Sequence, residues 1–416
     1  MGPIAIFDKS FIQSLSLDEA VLFDNFFLTN IVPVFFAETL ADLHKPMKND
    51  RSPEEEVRII AEKTPQMDSQ PSAYHANLCV SNLMGAEIAM NGRIHLAGGV
   101  AVKSGDKSGI MFDESPEVRA FARWQNGQFL DAERELAKLW RGMLANLKFN
   151  KAIKRFNQLG VNPNTCSSLE HAKSIASGIV SRERSVRFLQ FALRLVGVPD
   201  VLWSAITDRW KQNGTPPLIE YAPYAAYVTT VDLFFYIGIA SGRISVSGKK
   251  ITNRIDLAYL YYLPFCMVFT SSDKFHKACS PLFLRGDQQF VWGPELKAEL
   301  KRLDEYYKGM PESTKEKGLF AIAEQPPVTE GALLTQLWDR FLRPAWRKPG
   351  GFNVELPPEK EKEIVEALKR QRDEAVPTKE NVKSDAAEFL HLQKKIQKKR
   401  GSYWQLPKDL PEKGTT

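Results

Sequence analysis

The chain opens with a short unbroken apolar run, Ile4 to Phe7, that ends at Asp8. A run of strand length with no polar alternation predicts a buried strand that delivers a carboxylate at its C-terminal edge. Ser16 with Glu19 forms a capping-box pattern ahead of Ala20 to Phe27 and predicts a first helix. A second starts at Pro33, a favoured first-turn residue, and continues through Val34, Phe35, Phe36, Glu38, Leu40 and Leu43. Pro46 and the polar stretch from Lys48 to Glu56 close this unit. Residues 49–214 then read as a different, mainly helical body, with a Ser-, Pro- and Gln-rich loop around 64–73, a Gly-rich stretch near 98–109 and helical periodicity over 115–157 and 168–196. Apolar density returns from Pro216, through the buried-helix pattern Tyr224 to Ile239 and the run Ile255 to Thr270. Beyond about residue 295 the chain turns helical and charged, and Pro357 to Arg400 predicts an exposed helix or a partly disordered tail. No internal repeat is present.

Composition narrows the class only slightly. A chain of 416 residues, 43% apolar and 25% charged, has the balance of a globular protein of two or three domains, and a net charge of +6 tilts it mildly towards polyanionic partners. Cys79, Cys166, Cys266 and Cys279 form no CxxC pair, which argues for reduced thiols and a cytoplasmic setting rather than zinc or a disulfide framework. No export or lipidation signal is visible, and the Tyr224 to Ile239 run contains Asp232 and is too short for a membrane span.

Candidate chemistry lies in carboxylates at apolar positions. Asn253 to Pro264 predicts a helix stopped by proline. Phe265 to Thr270 then gives a buried strand, and Ser271-Ser272-Asp273 a loop that presents an aspartate. Asp256 shares its helical face with Tyr259, Leu260 and Leu263, and Glu38 shares one with Val34, Phe35 and Ala41. A carboxylate on a buried face costs several kcal/mol unless it is paired, hydrogen-bonded or cation-bound. Asp8 and Asp273, at the ends of neighbouring strands, supply company at the sheet edge where open α/β folds hold ligands. Oxygen donors without His or Cys suit Mg²⁺ or Mn²⁺.

The order strand-Asp8, helix-Glu38, helix-Asp256 before Tyr262-Leu263-Pro264, then Ser271-x-Asp273, resembles the PIN-like nuclease superfamily over roughly a quarter of the chain. The resemblance implies a three-layer α/β/α domain with a parallel sheet, split as 1–48 and 215–295 around a mainly helical insertion at 49–214, with a charged helical region at 296–416. It further implies a Mg²⁺- or Mn²⁺-dependent endonuclease acting on RNA before DNA, with Asp8, Glu38, Asp256 and Asp273 as catalytic and metal-binding residues and Ser271 beside them. The alternative is an inactive scaffold that binds nucleic acid or protein.

Further positions stay open at this level. Asp232 either joins the acidic cluster, makes a buried hydrogen bond or faces outward. Lys274 and His276 could contact a phosphate, a surface histidine being the plainer reading. Lys148, Lys151, Lys154 and Arg155 could bind nucleic acid, extended by Arg182, Arg184, Arg187 and Arg194, or form solvated helix faces. Lys394, Lys395, Lys398, Lys399 and Arg400 with Tyr403 and Trp404 read as a base-stacking segment or a solubilising tail. Gly98 to Ser104 lacks the spacing of a phosphate loop and reads as a turn.

Overall fold

All four residues of strand β1 (Ile4–Phe7) are buried, as a strand apolar on both faces requires. In the computed structural model, which describes residues 2–47, 51–67, 69–96, 100–104, 107–111, 115–145, 166–245, 253–348, 359, 376–377 and 397–410, β1 is the centre of a five-stranded sheet. Its companions are β2 (Leu28–Ile31), β3 (Ser69–Pro71), β4 (Val268–Ser271) and β5 (Gln289–Trp292), in the spatial order β3-β2-β1-β4-β5, and every pairing is parallel. The chain moves outward from β1 on one side through β2 and β3, then returns to the other side at β4. This reversal opens a crevice beyond the C-terminal ends of β1 and β4, the place where sheets of this kind take ligands.

Register fixes what faces the crevice. Ile6 pairs with Phe269 and Phe7 with Thr270, so Phe269 and Phe7 lie on opposite faces. Phe7 meets Phe23 of α2 (Leu17–Phe26) edge to face at 5.7 Å, while Phe269 meets His276 of α8 (Lys274–Cys279) at 5.1 Å. Helices therefore cover both sides of the sheet. The remaining helices around it are α1 (Lys9–Ser14), α3 (Pro33–Leu40), α4 (Pro53–Lys63), α5 (His75–Leu83), α6 (Pro223–Ala240), α7 (Asn253–Leu260) and α9 (Gly293–Lys308). The capping box at Ser16 and Glu19 forms as expected, with reciprocal bonds of 2.6 and 3.1 Å.

Two expectations need correction. The insertion was placed at 49–214, but β3 pairs with β2, α4 packs on α1 and α2, and α5 packs on α6. Residues 53–83 therefore belong to the α/β body. The Ser-Gln-Pro strand carries no apolar run, and its edge position is what tolerates Pro71. Between α5 and α6 the chain is mainly helical, with helices Pro116–Gln125, Asp131–Ala145, Leu169–Arg182, Val186–Leu195 and Trp203–Gln212, plus a hairpin of Val100–Ser104 and Lys107–Met111.

The second correction concerns the C-terminal segment at 397–410, which is anchored to the α/β body and is not a loose tail. Arg400 is 5% exposed, and its guanidinium donates to Asp24 Oδ2 at 2.8 Å and to the carbonyls of Glu62 and Thr64 at 2.6 and 2.7 Å. Tyr403 is buried and donates to Asp304 Oδ1 at 2.7 Å, and Lys399 and Lys408 both lie over the Trp404 ring. Lys394 and Lys395 lie outside the described residues. Apolar content is low here because the anchor is an ion pair and a cap on the carbonyl end of α4. Ending the chain at residue 396, or replacing Arg400 with Met, removes the Arg400 guanidinium from the buried Asp24 carboxylate, a loss of up to about 3–5 kcal/mol for a broken buried pair. Thermal melts should shift clearly downward for both variants, and an unchanged midpoint would show that this segment anchors nothing.

Candidate functional site

Asp8 leaves β1 in an extended conformation and becomes the N-cap of α1, its Oδ1 accepting from the Phe11 amide at 2.9 Å. Its Oδ2 accepts from Ser10 Oγ at 2.6 Å and from Ser271 Oγ at 2.7 Å, and His276 Nδ1 lies 3.2 Å away. Ser271, the last residue of β4, also accepts the Asp273 amide at 2.9 Å. Asp273 in turn caps α8 through the Phe275 amide at 2.6 Å. The strand-end aspartates are thus held by the helices they start, and Ser271 couples one to the other.

His276 is fully buried, which overturns the surface reading. Its Nε2 lies 2.7 Å from the Asp256 carbonyl and its Nδ1 faces Asp8 and the Ser271 hydroxyl, so a doubly protonated ring finds an acceptor at each nitrogen. Burial pulls its pKa down, but the bond to Asp8 and the charges of Asp8 and Asp256 outweigh this and raise it to about 9. Burial likewise lifts Asp8, and the imidazolium and the two serine hydroxyls bring it below the ordinary aspartate value. Ser271 and Asp8 meet the same ring nitrogen while the other is bound to a carbonyl. This is not the Ser-His-Asp arrangement, in which the imidazole uses one nitrogen for each partner.

A second cation lies on the other side. Lys9, with a side chain 7% exposed, donates to both Asp42 oxygens at 2.9 and 3.0 Å and to the Glu38 carbonyl at 3.2 Å, with Glu38 Oε1 at 3.4 Å. Burial would lower its pKa, but Glu38 and Asp42 together hold it above the ordinary lysine value. Glu38 Oε2 accepts from the Tyr259 hydroxyl at 2.8 Å.

Asp256 differs from its neighbours. It is 9% exposed, and among the described residues no group hydrogen-bonds its carboxylate. Burial pushes its pKa well above the ordinary range; His276 pulls the other way, and the charges of Glu38, Asp273 and Asp8 push further up. All four carboxylates expected from the sequence therefore share one electrostatic environment, with Asp8 and Asp256 inside and Glu38 and Asp273 half-buried.

Oxygen donors of this kind are the ones a hard divalent cation takes. The set is not closed, however. Among the described residues no three His, Cys, Asp or Glu side chains converge as a metal-holding group, because Asp8 is turned to His276 and the serines, Glu38 to Lys9 and Tyr259, and Asp273 to the α8 amide.

Asp232 does not join this cluster. It accepts from Tyr261 Oη at 2.5 Å and pairs with Arg254 at 3.3 Å, in a separate buried network beside His75, whose pKa burial and then Arg254 lower to about 4. Lys274 is exposed next to Asp273, at the start of α8. Lys148, Lys151, Lys154 and Arg155 lie outside the described residues, and Arg182, Arg184, Arg187 and Arg194 are exposed. The sequence reading missed Lys9 and Asp42. The signal for Lys9 was its place between Asp8 and the buried Phe11 and Ile12; Asp42 could be matched locally only with Lys45, three residues on, and its buried partner Lys9 lies 33 residues away.

No protein-family profile, curated protein or solved structure matches the chain. No helix among the described residues is long and apolar enough to cross a membrane.

The two inner groups give opposite dependences on pH. His276 has a raised folded pKa, so its stabilisation is complete below the ordinary value of 6.5 and lost as pH rises through about 9. His276→Asn should be less stable than the parent at pH 6, with the gap closing towards pH 10 in denaturant titrations. A gap independent of pH would show that the ring is neutral. Asp256 is a carboxyl with a raised folded pKa, so its charge penalty is absent below its ordinary 3.8 and grows until the folded value is passed. Asp256→Asn should melt at or above the parent temperature at pH 7 in the absence of metal; a lower melting point would mean that the carboxylate has a partner.

Proposed function

We propose that the crevice hydrolyses phosphodiester bonds as a PIN-like endonuclease, RNA before DNA, with Mg²⁺ or Mn²⁺ drawn to Asp8, Glu38, Asp256 and Asp273. The observation that carries this reading is Asp256, a residue 9% exposed whose carboxyl group burial and the charges of Glu38, Asp273 and Asp8 hold well above its ordinary pKa. Such an excess of negative charge in a low-dielectric site is the arrangement that a hard cation relieves. A bound ion would lower the pKa of a water and stabilise the leaving oxygen. The chain's own residues supply the frame. Ser10, Ser271 and the α1 amide orient Asp8, the α8 amide orients Asp273, and Tyr259 with Lys9 fixes Glu38. Lys274, exposed and next to Asp273 in the chain, is the residue this reading assigns to a substrate phosphate.

One observation favours a second reading, a scaffold that binds without cutting. Lys9 and His276 already neutralise part of the acidic set, so the fold can hold these carboxylates without a metal.

Labelled single-stranded RNA and DNA incubated with the protein in Mn²⁺, Mg²⁺ or EDTA distinguish the two. The expected result is internal cleavage in Mn²⁺, abolished by EDTA and by Asp256→Asn, with Mn²⁺ stabilising the parent by roughly 2.7 kcal/mol at a hundredfold excess over Kd. Absence of cleavage together with absence of a Mn²⁺-induced rise in melting temperature would leave the scaffold reading.

A further inference from the structure

We infer that one ordered water molecule is built into the junction between the C-terminal segment and the α/β body, in a cavity lined by Gln66, Met67, Gln397, Arg400 and Gln405. Gln66 and Met67 precede β3, so the cavity lies at the N-terminal edge of the sheet, and the inference is independent of the chemistry proposed for the crevice. Its volume is about 10 Å³. That meets the lower end of the roughly 10–15 Å³ one water requires and is too small for an organic ligand.

Size alone does not decide between a wet and a dry cavity. The lining does, since small cavities stay dry only where their walls are apolar. Gln405 is 1% exposed, and neither its Oε1 nor its Nε2 has a hydrogen-bond partner among the described residues. Its main chain is pinned, the amide donating to the Lys398 carbonyl at 2.9 Å and the carbonyl accepting from the Phe320 amide at 3.4 Å. Arg400 uses four of its five N–H groups: Nε and Nη2 on the Glu62 carbonyl, Nη2 again on the Thr64 carbonyl, and Nη1 on Asp24 Oδ2. The second N–H of Nη1 has no acceptor among the described residues. The Gln66 and Met67 amides are committed to the Asp24 carboxylate, at 2.7 and 3.1 Å. Gln405 and Arg400, both lining the cavity, thus hold an acceptor and several donors that no protein group takes.

A water is donor and acceptor at once and satisfies both kinds of group, with about three hydrogen bonds its usual number in such places. A bare ion is the wrong ligand, because Arg400 repels a cation and Asp24 an anion. The water completes the anchoring that Arg400 begins: it couples the Gln405 side chain of the C-terminal segment to the residues that lead into β3.

A crystal structure of the full chain at a resolution that shows ordered water tests this. The expected result is a peak of density in the cavity, within hydrogen-bond distance of the Gln405 amide and of at least one further polar atom. A cavity without such density, or a Gln405 side chain bonded to protein groups alone, would overturn the inference. The sign of one substitution gives a check in solution. Gln405→Met keeps the length of the side chain and removes both polar atoms. In a dry cavity the parent holds two buried polar atoms without partners, and Met relieves them, so the variant melts clearly above the parent. With the water in place, Met breaks a bridge and leaves its other partners unpaired, so the variant melts at or below the parent temperature. A clear rise in melting temperature would therefore overturn the inference even where no crystals are obtained.

Discussion

The ion pair between Asp8 and His276 is the contact on which the crevice depends. Asp8 belongs to the central strand and His276 to α8, and the second ring nitrogen is tied to the Asp256 carbonyl of α7. Three elements remote in sequence are therefore fixed by one imidazolium, and the position of Asp256 follows from it. The same ring packs against Phe269 and Tyr259, so its charge is shielded from water on every side that the carboxylate does not occupy. A pair this deep is favourable only when each remaining donor and acceptor is also satisfied, and Ser10, Ser271 and the Phe11 amide do this for Asp8.

Capping and site formation are one event in this fold. Asp8 starts α1 and Asp273 starts α8, and both helices begin where their strands end, at the edge where the topology reverses. An N-cap aspartate is common and by itself says nothing about function. What distinguishes these two is that Ser271 connects them and that a third carboxylate, Asp256, approaches with no cap to make.

What the sequence disclosed follows the range of the interactions. The Asn253 to Asp273 segment was legible because its helix, proline stop, strand and capping loop are all local patterns, and the structure reproduces them as α7, β4 and the start of α8. Strand β1, the Ser16 capping box and the Pro33 start of α3 were legible for the same reason. Strand β3 was not, since Ser69-Gln70-Pro71 has no apolar periodicity and is a strand only because β2 offers it an edge. Arg400 was read as part of a solvated run, yet its partner Asp24 lies 376 residues earlier, beyond the reach of any window of sequence. Asp232 was ambiguous because an apolar helix face says that a carboxylate is buried without saying which cation meets it; Arg254 and Tyr261 do.

The charges of the site explain why the acidic positions could be found and their counter-ions could not. A carboxylate in an apolar run stands out, because its burial is costly. A lysine does not, because its long stem is at home on apolar surface whether or not its ammonium is buried. Lys9 follows Asp8 directly and reads as an ordinary first-turn residue, while its partners come from the end of α3 and the turn after it. The consequence is a site whose negative half is written locally and whose positive half exists only after folding. Net charge in the crevice is thus a tertiary property, which the acidic pattern alone does not determine.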